Sequence, residues 1–198
     1  MMLKKVIFVM CLALLISFIS DARAARTYWD GGYQYELDNG IGTLPNPDWT
    51  TDEAWPDGPP PDNGHATFEP TQAGYPDCVI PVGADVAGGR IHVGHNLPGM
   101  VSLTMEGGTL TANRIQVGPK DVGVDPTFTM NGGTVNLSGY FRTGDGGLGT
   151  FDMHDGTITS TEQLELGADE TGEGYFNMYG GDISLAKNLG IGKSGFGE

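Results

Sequence analysis

Cysteine, positive charge and helical periodicity are all scarce in this sequence, and each scarcity narrows what the chain can be. There are 2 cysteines, and one of them, Cys11, falls in an apolar stretch near the N-terminus. Cys78 is then the only thiol left beyond that stretch. A single thiol forms no intramolecular disulfide, and Cys78 reads as a small buried hydrophobe rather than a reactive thiol or an intermolecular bridge. Lys and Arg total 10 against 25 Asp and Glu, a formal charge of −15, and such a surface repels nucleic acid and anionic lipid. After the first twenty residues no long stretch repeats apolar residues at helical spacing. P-loop, Gly-x-Ser-x-Gly and histidine–glutamate zinc-helix motifs are all missing. Glycine, by contrast, is abundant at 33 residues, while hydrophobic residues hold at 38%. That pairing points to tight turns between short apolar strands rather than to disorder.

The N-terminus has the pattern of an export signal. Lys4 and Lys5 precede a mostly apolar run from Val6 to Ile19, and Ala22-Arg23-Ala24 is a small-x-small cleavage site. Residues 1–24 are expected to be a signal peptide cut after Ala24. The run is short for a bilayer crossing, so no membrane insertion is expected after cleavage. Cys11 lies inside the run and not at its boundary, which excludes a lipoprotein site. Cleavage removes Lys4, Lys5, Arg23 and Asp21 and leaves 7 basic against 24 acidic side chains, a formal charge of −17. This suits an extracellular or cell-surface location and an attraction for divalent cations.

Two motifs recur with one period. An apolar-x-apolar-Gly unit, with Thr143 in the second apolar place of one copy, starts at Ile91, Ile115, Phe141, Leu164 and Leu189, spacings of 24, 26, 23 and 25 residues. Between its copies runs Leu103-Thr104-Met105-Glu106-Gly107-Gly108-Thr109-Leu110, which returns at Phe128, Phe151 and Phe176 with its methionines 25, 23 and 25 residues apart. Within a copy such as Phe128-Thr129-Met130 the outer side chains share one face of a strand. The glycine pair that follows permits a corner at positive φ. Where its first glycine is replaced the substitute is Asp155, expected to tolerate that region. Thr134-Val135-Asn136-Leu137 and Phe141-Arg142-Thr143 alternate in the same way, so one coil is three short strands and three bends.

A coil with about six inward apolar side chains cannot offset the entropy of ordering about 24 residues. It must stack on copies of itself through parallel pairing. The expected fold is therefore all-β, a parallel β-solenoid of ~24-residue coils over residues 91–198, with inward columns Leu103-Phe128-Phe151-Phe176, Met105-Met130-Met153-Met178 and Leu110-Val135-Ile158-Ile183. Leucine-rich repeats would need a different leucine spacing and a ladder asparagine, and propeller blades a longer period. Gly146 to Asp152 departs from the calcium-binding nonapeptide because Phe151 stands where an aspartate is required.

In these units the chain resembles the glycine-rich repeats of bacterial autotransporter passengers and of proteins carrying a PEP-CTERM sorting signal. The resemblance implies a β-solenoid at a bacterial surface or beyond it, with adhesive or structural roles and no catalytic residues. Neither a PEP-CTERM tail nor an autotransporter barrel is present in the sequence. The chain stops at Gly197-Glu198 where another Phe-x-Met strand is due, so a fragment of a longer protein is expected.

Residues 25–90 differ in composition, with Trp29, Trp49, Trp55 and the proline cluster from Pro56 to Pro61. They are expected to cap the open end of the stack, with Asp77 to Arg90 as an irregular first coil. The alternative use of Trp29, Trp49 and Trp55 is a platform for stacking sugar rings. His92 and His95 have a metal-like spacing but lack a third ligand, and read as a solvent-facing pair. His154-Asp155 aligns with Glu106-Gly107, Asn131-Gly132 and Tyr179-Gly180, which makes it a variable turn position rather than a catalytic dyad. The outward column His92, Gln116, Arg142, Glu165, Gly190 sets Arg142 beside Glu165, an exposed pair worth about 0–1 kcal/mol. Asp169 to Glu173 offers oxygen ligands for calcium without the order of an EF-hand. No other cofactor is expected. The leading functional expectation is a non-catalytic scaffold, stalk or adhesin whose partners are extracellular polysaccharide or cell-surface components. Carbohydrate binding comes next, and a polysaccharide-degrading β-helix enzyme, by fold analogy alone, comes last.

Overall fold

The computed structural model describes residues 26–29, 65–68, 77–94, 99–119 and 124–198. Among them every regular element is a β-strand, and every pairing is parallel. The chain winds into a β-solenoid whose coils each supply three strands. The first strands form a six-stranded sheet of Asp77–Ile80, Gly99–Met105, Val124–Met130, Leu148–Met153, Glu173–Met178 and Phe196–Gly197, here called the methionine sheet. The second, or threonine, strands include Thr134–Leu137, Thr157–Ser160 and Asp182–Leu185. The third, glycine-ended strands include Phe141–Thr143, Leu164–Leu166 and Leu189–Ile191. In the two preceding coils the second and third strands run on as single strands, Asp85–Val93 and Thr109–Val117.

Register follows the expected columns. Leu103 pairs with Phe128, Phe128 with Phe151 and Phe151 with Phe176, and Met105, Met130, Met153 and Met178 pair in the same order. The phenylalanines stack, with ring centroids 5.2 Å apart for Phe128 and Phe151 and 4.8 Å for Phe151 and Phe176. Alternation along each strand sends the leucine, phenylalanine and methionine side chains up to Met153 into the buried core, with Phe176 packed against it, and their polar neighbours outward.

The coil expected to be irregular is in register with the rest. Cys78 pairs with Leu103, Ile80 with Met105 and Val86 with Leu110, and Cys78 is buried among the core side chains. Its irregularity is confined to the turn Pro81–Ala84, one residue longer than Glu106–Gly108, where Ala84 N–H donates to the Pro81 carbonyl at 3.2 Å. Two short strands from the segment expected to be a cap extend the same sheet, since Arg26–Trp29 pairs with His65–Phe68 and His65–Phe68 with Arg90–Val93.

The corners correct one expectation. Only the second glycine of each pair adopts positive φ, for example Gly133 at 89° and Gly156 at 104°, and among the described residues none other than glycine does. Asp155 therefore needs no left-handed tolerance, because the first place in the pair is not left-handed. Its carboxylate instead accepts the Gly156 N–H at 2.7 Å. At Gly133 a Cβ would lie 2.6 Å from the Gly108 carbonyl oxygen and 2.7 Å from the Met105 methyl carbon. The same holds one coil on, where the Met130 methyl carbon would lie 2.5 Å from a Cβ on Gly156. Each methionine thus fills the space that the glycine of the next coil leaves open, which ties the two columns together. Hydrogen bonds continue through these corners: Asn131 N–H donates to the Met105 carbonyl and Thr134 N–H to the Gly108 carbonyl, both at 2.8 Å.

Candidate functional site

The outward side chains of the glycine-ended strands stand in one column, Thr67, His92, Gln116, Arg142, Glu165 and Gly190. From His92 to Glu165 the structure links the column into a polar ladder. His92 Nε2 donates to Gln116 Oε1 at 3.0 Å, and the Gln116 amide donates to Asp145. Arg142 Nη1 reaches Asp145 Oδ1 at 3.2 Å and Arg142 Nε reaches Glu165 Oε2 at 2.6 Å. The other oxygen of Glu165 accepts from Gln163 Nε2 at 2.6 Å and from Lys193. Tyr140 lies beneath two cations, its ring 4.2 Å from the Arg142 guanidinium and 5.2 Å from that of Arg114. Its hydroxyl accepts from Arg114.

The expected Arg142–Glu165 pair is present, but it is not an exposed surface pair. Glu165 is only 2% accessible. Burial pushes its pKa up, yet the hydrogen bonds and charges of Lys193 and Arg142 outweigh that and hold it below the ordinary carboxylate value. Removing its partly exposed cations would leave the buried Glu165 carboxylate without compensation, so this cluster ties adjacent coils more firmly than a rim pair. Asp145, Gln163 and Lys193 complete it from the places that flank the glycine-ended strands. His92 is likewise buried rather than solvent-facing, packed edge-on to His65 at 6.1 Å between ring centroids. Its neighbour in sequence spacing, His95, lies outside the described residues.

The remaining candidates fall in separate places. His154 stacks on Tyr179 at 4.8 Å, coil above coil, while Asp155 bonds its own turn, so the two are turn residues. Asp169 Oδ1 accepts the Glu170 N–H at 2.7 Å and its carbonyl accepts the Gly172 N–H at 2.9 Å, a local loop. Among the described residues no three His, Cys, Asp or Glu side chains are grouped to share a metal ion. Trp29 ends the strand Arg26–Trp29 in register with Phe68. Trp49 and Trp55 lie outside the described residues.

One feature carries no sequence motif. A groove of about 590 Å³ follows the bend between the threonine strands and the glycine-ended strands across four successive coils, from Ala87 to Thr161. Its walls carry hydroxyls and amides among small side chains and Leu137, most of its exposed lining is apolar, and among the described residues no lysine, arginine, histidine, aspartate or glutamate lines it. In comparisons with known proteins the chain matches no protein-family model, no curated protein and no solved structure.

Proposed function

We propose that the protein is exported and serves as a scaffold or adhesive surface outside the cell, without catalysis. The observation that supports this reading most is the unbroken register of the core columns from Ile80 to Met178. Functional sites are where natural proteins break local rules, and these columns break nowhere along that length. The export pattern of residues 1–24 and the surplus of acidic side chains accord with a soluble stalk or matrix component beyond the membrane. Extracellular polysaccharide and cell-surface components are the partners this reading provides for.

The test is to express the full chain in a bacterial host with an export pathway and recover it from outside the cytoplasm. Mass spectrometry is expected to find Ala25 as the first residue. Recovered protein that retains residues 1–24 sinks the cleavage. Incubation with a panel of polysaccharides is expected to leave every polymer at its original length, and shortening of any one overturns the non-catalytic reading.

A further inference from the structure

We infer that the groove along the bend is a binding site for an uncharged glycan chain lying parallel to the solenoid axis, an inference that rests on the adhesive reading and gives it a place and a ligand class. One wall carries Thr111, Asn136 and Thr159, which pair with one another in register on the outer face of the threonine strands. The other carries Asn113, Ser138 and Thr161 just beyond the bend. Asn113 Nδ2 donates to Ser138 Oγ at 3.3 Å, so this wall is itself linked from coil to coil. Between the walls lie Gly88, Gly89, Ala112 and Leu137.

Three properties select the ligand. The first is charge. The chain carries −15 while among the described residues the groove lining has no ionisable side chain, so polyanions meet repulsion with no cation in that lining to offset it. Nucleic acid and acidic polysaccharide are disfavoured on the same ground. The second is donor and acceptor supply. The strand backbone groups beside the groove are committed to the ladder between coils, so an extended peptide finds no open edge for strand addition. Hydroxyls and amides are what the walls offer instead, each both donor and acceptor, which is the complement of a sugar's hydroxyl groups. The third is repeat length. Coils stack at about 4.8 Å, close to the advance of one sugar unit along an extended glycan, so equivalent bonds recur from coil to coil. The methyl groups and the small apolar side chains supply the remaining contact, as in other sites with a few placed polar groups.

The experiment is calorimetric titration of the full chain with uncharged hexasaccharides (β-1,4-glucose, β-1,3-glucose and β-1,4-mannose linkages) and with a hexamer of galacturonic acid. At least one uncharged hexamer is expected to bind, and the galacturonate hexamer is expected to bind at least tenfold more weakly. Replacing both Thr111→Val and Thr159→Val keeps the β-branched shape and removes two hydroxyls, and is expected to weaken binding about tenfold with an unchanged melting temperature. The paired control Thr104→Val with Thr129→Val makes the same change on the methionine sheet, away from the groove, and is expected to leave affinity as it was. Failure of every uncharged hexamer to bind overturns the inference, as does a galacturonate affinity equal to the best of them. Equal affinity of the groove variant and the parent overturns the site. Shortening of a hexamer during titration overturns the non-catalytic reading instead, so the two failures are distinguishable.

Discussion

The coil at Leu148–Leu166 and the one after it, at Glu173–Ile191, have nearly the same inward residues and very different surroundings. Met153 is fully buried and Met178 is 47% exposed; Leu164 is fully buried and Leu189 is 52% exposed. The local backbone is equivalent, strand for strand and in register. What separates them is that the first has a full coil on both sides, while on its far side the second meets only the short strand Phe196–Gly197. A solenoid core is thus a property of neighbours, since each coil supplies half of its own burial and borrows the other half.

The sharpest way to break this comparison is to truncate the same side chain in both coils. Leu164→Ala is expected to lower stability by about 2–5 kcal/mol, and Leu189→Ala by less than about 1 kcal/mol, because little burial is lost. Urea denaturation followed by circular dichroism measures both, and equal losses would refute the idea that cover comes from the next coil. Next in size, Gly133→Ala is expected to cost more than about 2 kcal/mol, combining positive φ with the contact to the Gly108 carbonyl and the Met105 methyl. Gly132→Ala, whose nearest contact is an ordinary 3.5 Å, is expected to stay within about 0.5 kcal/mol.

A third test addresses the polar ladder that crosses the two coils. Glu165 has a folded pKa below its ordinary value, so the unfolded chain takes up its proton at higher pH than the folded one. Its stabilising contribution is complete above the unfolded carboxylate pKa and is lost as pH falls through the folded value. The stability gap between the parent and Glu165→Gln is expected to be constant from neutral pH down to about 5 and to shrink below about 4. A gap that widens on acidification would reverse the assignment. The smallest effect concerns a flaw inside a fully covered coil. Thr143 pairs with Val117 and Leu166 in an inward column, and its buried hydroxyl has no hydrogen-bond partner. Thr143→Val is expected to raise stability by about 1 kcal/mol, read as an upward shift in melting temperature.

Much of the fold was legible because stacking makes sequence periodic: Phe128, Phe151 and Phe176 recur where one column needs them. The coil from Asp77 to Val93 was harder to read, because Pro81-Val82-Gly83-Ala84 adds a residue and hides the Met-x-Gly-Gly signature that its neighbours share. Burial of the Arg142–Glu165 pair was not legible either. It depends on Asp145, Gln163 and Lys193, which flank the glycine-ended strands at places where the residue type changes from coil to coil. The groove left no trace for a related reason. Gly88, Asn113, Ser138 and Thr161 hold related places at the bend and share no residue type, so only geometry brings them together.

The hydrogen bonds that join one coil to the next all point along the stack, and this gives the molecule a mechanical character. Tension applied along the axis falls on one inter-coil seam after another, and within a seam the load is shared by its whole row of bonds. Each coil that lets go releases 23 to 26 residues, about 80 Å of slack chain. A pulled stack therefore lengthens in even steps and dissipates work at each one, so that a stalk of such coils acts as a shock absorber graduated in coils.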